Sequence, residues 1–169
     1  KPAQACINRA SPGCWMPKTI MVEYSVRLAG KSAANMLRKS SAFAVKQLDS
    51  QDDLCAAAAE WRALFAQAAR TSVFQSWEWC VAWWRAFSAD YARLAVIQVY
   101  DAADLIMILP FCMQTTPNGD RMLQPLAHTV SDYVDCLVKP GYEPLLGAAL
   151  IAVMKRLGAR AIKTGYTAS

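Results

Sequence analysis

The alternation of apolar and polar positions divides the chain into a weakly patterned leader and a regular part that starts at residue 42. Residues 42–47 alternate apolar and polar side chains, which predicts a short strand. Ser50, with an acid three residues later, is a capping-box signal, so a helix of about four or five turns is expected to begin there. Its predicted apolar face consists of Leu54, Ala57, Ala58, Trp61, Leu64, Phe65 and Ala68.

A second helix is predicted to begin at Ser76. Glu78 lies in its first turn, where a negative charge suits the positive end of the helix dipole. The helix is apolar around most of its circumference, so it should be largely buried. One side carries Trp77, Cys80, Val81, Trp84 and Ser88, and another carries Trp79, Trp83 and Phe87.

The middle of the chain predicts a series of four strands. Two β-rich segments, 93–100 and 105–111, flank a short polar connection and form a hairpin. Pro110 cannot donate to a strand ladder, so its strand should end there or lie at an edge. Residues 116–120 form a strong turn, and the two further predicted strands are 121–126 and 133–138.

The last predicted element is a helix that begins near Pro144 and ends before Gly158. Nothing after Arg160 has the length and alternation of a full strand. The fold class is therefore α/β (α+β): a mainly antiparallel sheet flanked by helices and incomplete at its C-terminal end. The predicted organisation is a poorly ordered basic leader (1–41), a domain (42–160) and a tail that could be non-native (161–169).

Charge changes this picture only for the leader. The net charge is +5, but residues 1–46 hold eight basic residues against one acid, whereas residues 47–169 hold ten against twelve. A nucleic-acid-binding domain carries its positive charge on the folded surface, so no nucleic-acid partner is predicted. The leader lacks the apolar core of a signal peptide, and the stretch from Pro144 to Met154 is shorter than the ~20 residues of a membrane span. A soluble, cytoplasmic protein is expected.

The six cysteines are predicted to be free thiols rather than ligands or disulfide partners. No pair has CxxC spacing, and the four in the domain lie within apolar patterns. With a single histidine and no clustered ligands, no metal site is predicted.

The best polar cluster is the segment 128–135, which follows one predicted strand and enters another. His128 is a candidate general base, and Asp132 or Asp135 would orient it. Proximity in sequence does not establish such an arrangement, because catalytic groups are defined by geometry. The alternative is a polar loop in which Asp132 makes only a turn or capping contact. Catalytic residues therefore stay unassigned, with His128, Asp132 and Asp135 as candidates.

Two other features have both a structural and a functional interpretation. The tryptophan-rich segment 74–87 is either a core helix or an aromatic platform for a ligand, with Trp77 and Trp79 nearest a ligand surface. Gly141 and Gly147 flank the start of the last helix, where an anion such as a pyrophosphate would fit, but no run of glycines cradles it. No GxGxxG, Walker A or nucleophile-elbow motif is present.

Residues 43–160 resemble the N-terminal half of GNAT-superfamily acyltransferases of the bacterial CelD (cellulose-biosynthesis, BcsL-like) group, which are related to FemAB-like proteins. The pieces that carry the resemblance are SVFQSWEWCVAWWRAF (72–87), a hairpin that ends in Leu-Pro, Ser-Asp-Tyr-x-Asp (131–135) and the final PLLGAALIAVMKRLGA.

The resemblance implies a GNAT-like domain, acyl transfer from acetyl-CoA or another acyl-CoA to an amine or saccharide acceptor, and a link to cellulose or exopolysaccharide production. His128, Asp132, Tyr133 and Asp135 would contribute an acceptor-side surface. A C-terminal half of comparable size would hold the acyl-CoA, so a fragment without it would be inactive and would not bind acyl-CoA tightly. Whether the chain is an enzyme stays open. The alternative is a non-catalytic protein-binding module, and either form could self-associate through an exposed sheet edge.

Overall fold

The computed structural model describes residues 43–90, 93–131 and 135–163. The predicted leader and the last six residues of the predicted tail lie outside these ranges. The helices are α1 (Gln51–Ala56), α2 (Ala58–Gln67), α3 (Trp77–Phe87) and α4 (Leu146–Leu157). The strands are β1 (Phe43–Leu48), β2 (Arg93–Asp101), β3 (Asp104–Thr115), β4 (Arg121–Pro125), β5 (Leu137–Val138) and β6 (Ala161–Ile162).

The strands form one mixed sheet in the order β1-β2-β3-β4-β6, and β5 pairs with β3 beyond the end of β4. Every pairing in the described residues is antiparallel except the parallel pair β4–β6. Helices α1, α2 and α3 pack against one face of the sheet, and α4 packs against the other. The predicted class, a mainly antiparallel sheet flanked by helices, is confirmed.

The first predicted helix is present, but it is broken once. Ala57 separates α1 from α2, and its N–H bonds to carbonyls of α1. The predicted apolar face survives this break, because Leu54, Trp61 and Leu64 are all buried. Ser50 is the N-cap, and its Oγ accepts the N–H of Asp53 at 3.1 Å, as the capping signal predicts.

Removal of this cap should destabilise the domain measurably. We expect Ser50→Ala to lower the free energy of unfolding by about 1 kcal/mol, because the Asp53 N–H loses its acceptor. Equilibrium urea unfolding of the full chain measures this difference. Gln51→Ala is the matched control, since Gln51 is exposed and adjacent to the cap. Equal stability of the two variants would show that the cap contributes nothing.

Pro110 lies in the middle of β3, which is an interior strand, so the prediction that its strand ends there or lies at an edge is wrong. Its carbonyl accepts the N–H of Leu126 at 2.7 Å, on the side of β3 that faces β4 and β5. β5 pairs only as far as Ile108, and β4 pairs only from Phe111. The missing N–H of the proline therefore faces the gap between two short partner strands, where no ladder bond is lost.

The C-terminal end of the described chain also differs from expectation. The sequence after Arg160 predicts no adequate strand, yet β6 runs parallel to β4. The backbone N–H groups of Arg160 and Lys163 donate to the carbonyls of Arg121 and Leu123. Periodicity could not reveal a strand of two residues. The fourth strand of the predicted series is likewise short, because β5 covers only its last two residues. No helix in the described ranges has the length and apolarity to span a membrane.

Candidate functional site

The candidate site lies where the only parallel strand pair of the described sheet ends. β4 ends at Pro125 and β6 at Ile162, and Lys163 extends the pairing through a 2.8 Å bond to the carbonyl of Leu123. In open α/β sheets, ligands bind outside the carboxyl ends of parallel strands. The residues that follow β4 are therefore the first place to look for chemistry.

The chain leaves β4 through a tight turn over residues 126–130. Ala127 is fully buried and has a φ of 66°, a left-handed conformation that alanine rarely adopts. Such strain persists only when the surroundings enforce it, and it is concentrated at functional sites. The next residue of this turn is His128.

Burial favours the neutral form of the His128 imidazole. Its Nδ1 lies 3.0 Å from the carbonyl oxygen of Pro125, and because a carbonyl only accepts, Nδ1 carries a proton. In the neutral ring the lone pair is then on Nε2. Burial lowers the pKa of His128, the Pro125 carbonyl opposes this by stabilising the charged ring, and the positive charge of Lys163 lowers the pKa further.

Of the two aspartates predicted to orient this histidine, only Asp135 lies in the described ranges. Among the described groups, the carbonyl of Pro125 lies within hydrogen-bond distance of His128 Nδ1. Asp135 is exposed, and its Oδ1 accepts the backbone N–H of Cys136 at 2.7 Å. Asp132 and Tyr133 lie outside the described ranges, so their predicted roles are not tested.

The structure separates the two tryptophans predicted to contact a ligand. Trp79 lies beside the turn, and its indole N–H donates to Ser131 Oγ at 3.0 Å. Trp77 points to the other side of α3, where its indole N–H donates to the carbonyl of Leu54 at 2.8 Å and the guanidinium of Arg62 lies 4.7 Å from its ring centre. Trp77 therefore joins the helices to each other.

Trp83 is a site residue that the sequence did not single out. It is buried, its indole N–H donates to Thr129 Oγ1 at 2.9 Å, and its ring centre lies 5.8 Å from that of His128. Helix α3 is also less buried than predicted. Its outer face is exposed, and Phe87 retains 38% of its accessible surface.

A shallow groove of about 190 Å³ runs along this outer face, next to the turn that carries His128. It is apolar and aromatic, with one wall from the turn and the rest from α3. Its lining residues are Trp79, Ala82, Trp83, Ala86, Phe87 and Val130.

A larger cavity of about 320 Å³ opens on the opposite face, between α4 and the β1 edge of the sheet. Arg156 is the only charged residue in its lining, and the rest is apolar. Despite its size, this cavity offers no proton acceptor. We therefore place the candidate chemistry at the smaller groove, which adjoins a histidine.

The proposed anion position at the start of the last helix is already in use. Gly141 has a φ of 93°, and its N–H donates to the carboxylate of Glu143 at 2.8 Å. A 3₁₀ turn over Glu143–Leu145 precedes α4, and Gly147 lies exposed in the first turn. An external anion would have to displace the Glu143 carboxylate.

A second polar cluster lies beneath α2. Glu60 Oε2 accepts the hydroxyl of Tyr100 at 2.9 Å and the amide of Gln98 at 3.3 Å. Burial and the Glu60 carboxylate raise the pKa of Tyr100 to about 12. Gln98 is fully buried, and its Oε1 has no hydrogen-bond partner in the described part of the chain.

All four described cysteines are free. Burial raises the pKa of the Cys80 and Cys112 thiols to about 12, so both are poor nucleophiles. Across residues 43–90, 93–131 and 135–163, no group of His, Cys, Asp and Glu side chains could hold a metal ion.

Comparison with known proteins gives structural similarity alone. The sequence matches no protein-family model and no curated protein. The fold is similar to an aminoglycoside acetyltransferase from an uncultured soil metagenomic sample, with 16% identity and a TM-score of 0.47 over 76% of this chain and 82% of that one.

A ribosomal-protein-alanine N-acetyltransferase from Brucella melitensis biovar Abortus 2308 gives 15% identity and a TM-score of 0.41, over 73% of this chain and 79% of that one. A possible acetyltransferase from Clostridium difficile 630 gives 9% identity and a TM-score of 0.43, over 75% of this chain and 80% of that one. All three solved structures are named as acetyltransferases. Identities and scores this low do not assign the chain to a family or an activity.

Proposed function

We propose that this chain is an acyl-CoA-dependent N-acyltransferase domain of the GNAT type, in which His128 is the general base for an amine acceptor. This proposal departs from the expectation, implied by the resemblance, of an inactive fragment that does not bind acyl-CoA tightly. The observation that carries the proposal is the state of His128. Burial favours its neutral form, whose lone pair is on Nε2 when Nδ1 donates to Pro125, and its turn forms one wall of an apolar groove at the end of the parallel strand pair.

The role of His128 follows from the chemistry of amines. An amine acceptor is protonated at neutral pH and must lose a proton before its nitrogen can attack a carbonyl carbon. His128 Nε2 takes that proton, and the Pro125 carbonyl supports the resulting imidazolium through Nδ1. The acyl-CoA supplies the acyl group as a thioester. Lys163, whose charge acts on the pKa of His128, contributes the positive potential that an anionic donor requires.

The finer assignment to the CelD-like group is part of the proposal. It is supported by the sequence resemblance over residues 43–160, which includes the α3 segment and the turn that carries His128. It makes an amino sugar or another saccharide-linked amine the acceptor, in connection with cellulose or exopolysaccharide production.

A non-catalytic binding module is the second candidate, and the β1 edge favours it. In the described sheet β1 pairs only with β2, so its outer edge has no partner strand. Val45 on this strand retains 41% of its accessible surface and lines the larger apolar cavity. An extended peptide could add to such an edge as a further strand.

Acetyl-CoA binding separates the two candidates. We expect acetyl-CoA at 100 times its dissociation constant to raise the free energy of unfolding of the full chain by about 2.7 kcal/mol, because only the folded state binds it. Urea unfolding at increasing acetyl-CoA concentration measures the effect, and AMP at the same concentrations is the control. A midpoint that stays constant up to millimolar acetyl-CoA would contradict the acyltransferase proposal and favour the binding module.

A further inference from the structure

Two tryptophans of α3 bond to the turn that carries the candidate base. Trp83 donates to Thr129 and Trp79 donates to Ser131, at 2.9 and 3.0 Å. Both bonds run from an indole N–H to a side-chain hydroxyl. They are the described hydrogen bonds that connect α3 with the segment 128–131.

The two indoles come from one face of α3. Residues four apart on a helix lie on the same face and are separated by about 6 Å along the axis. Thr129 lies in the turn over residues 126–130 and Ser131 directly follows that turn, so both bonds attach the same short segment to this face. A single bond would let the segment pivot, whereas two bonds fix its direction.

We infer that Trp79 and Trp83 are positioning residues, which hold the 128–131 segment against α3 and thereby keep the His128 ring partly buried beside the Trp83 ring. This inference deepens the proposed function, and its importance for catalysis rests on that proposal. The proposed role does not require either tryptophan to contact a substrate. Their role is to exclude water from the imidazole and to set its orientation.

The charges around His128 limit what else could control it. The α3 residues that line the groove next to the turn are indoles, alanines and a phenylalanine, without charge. β4 contributes the Pro125 carbonyl, and Lys163 contributes a positive charge from beyond β6. A substitution at these α3 residues therefore changes the exposure of the ring without changing the charge around it.

The test exploits the fact that His128 is the only histidine in the chain. Its ring C2 proton gives a single resonance, whose chemical shift against pH reports the pKa of His128 directly. Thr129→Val keeps the shape of the side chain and removes the hydrogen-bond acceptor of Trp83. We expect this variant to raise the pKa of His128 toward the ordinary value of about 6.5, because the imidazole becomes more exposed to water. Thr129 is exposed, so the variant should fold.

Amide exchange gives a second readout. The N–H of Val130 bonds to the carbonyl of Ala127 at 3.1 Å within the same turn. Thr129→Val removes the hydrogen bond from Trp83 to the turn. This loss of one neutral hydrogen bond should accelerate the exchange of the Val130 amide about fivefold. Trp83→Phe should give the same result from the other side of the bond. The double variant should add little, because both changes remove one interaction.

Trp77→Phe is the matched control, since it removes an indole bond from the same helix to the carbonyl of Leu54. It should leave both the pKa of His128 and the exchange of Val130 unchanged. The inference is wrong if Thr129→Val and Trp83→Phe behave as this control does. Neither readout requires acyl-CoA, so failure of the proposed function would not be mistaken for failure of the positioning role.

Discussion

Truncation of Trp61 to alanine is expected to lower the free energy of unfolding by about 3–5 kcal/mol. Trp61 is fully buried in the core between α2 and the sheet, so the variant leaves a large cavity. Its indole N–H also donates to the carbonyl of Gln75 at 2.9 Å, and that carbonyl loses its partner. Because whole domains are stable by about 5–15 kcal/mol, this loss brings the protein near its unfolding threshold.

Urea unfolding monitored by far-ultraviolet circular dichroism measures the change. Phe87→Ala is the control, since it removes a comparable ring that is partly exposed at the end of α3, and it should cost much less. If the two variants were equally stable, Trp61 would not be a central core residue. Trp61→Phe separates the contribution of the hydrogen bond to stability from that of the buried volume, because it removes the indole N–H and keeps most of the aromatic ring.

Replacement of His128 by glutamine should reduce the rate of acyl transfer by about 10²–10⁴-fold, the usual contribution of a general base. Glutamine can still donate to the Pro125 carbonyl, but it has no nitrogen that accepts a proton at neutral pH. The assay follows release of the CoA thiol from acetyl-CoA, with glucosamine as the amine acceptor. The effect should fall on kcat, with the KM for acetyl-CoA little changed.

The pH profile provides an independent check on the same residue. The base works only when neutral, and burial lowers the pKa of His128, so the wild-type rate should be retained below pH 6.5 and lost only as pH falls through this lowered pKa. The rate of the His128→Gln variant should not show this fall at low pH. Asp104→Asn, at the start of β3, is the control and should keep both the rate and the profile. An unchanged rate in His128→Gln would remove His128 from the mechanism.

Local patterns predict most of the framework because they arise from interactions between near neighbours. The Ser50 cap, the apolar face of α1 and α2, and the β2–β3 hairpin each depend on residues within a few positions of one another. The errors occur where distant contacts decide. Pro110 is tolerated inside β3 because two partner strands end on either side of it, and β6 exists because β4 offers it a free edge.

The candidate site is less predictable for the same reason. The sequence identifies His128 and Trp79, but the bonds from Trp79 to Ser131 and from Trp83 to Thr129 join residues 52 and 46 positions apart. No periodicity connects such positions. One group that orients His128 is a backbone carbonyl, that of Pro125, and every residue has one, so composition carries no signal for it.

The unequal distribution of aromatic residues over the two layers has an optical consequence. All five described tryptophans belong to, or pack against, the core on the α1–α3 face, and none belongs to the core under α4. The emission of these five tryptophans therefore reports on one layer of the described structure. An opening of α4 alone would leave their emission unchanged while the helical signal fell, and the two probes would then follow different transitions. For this fold, agreement between fluorescence and circular dichroism is a strict criterion of two-state unfolding, because circular dichroism includes α4 and the emission of these tryptophans does not.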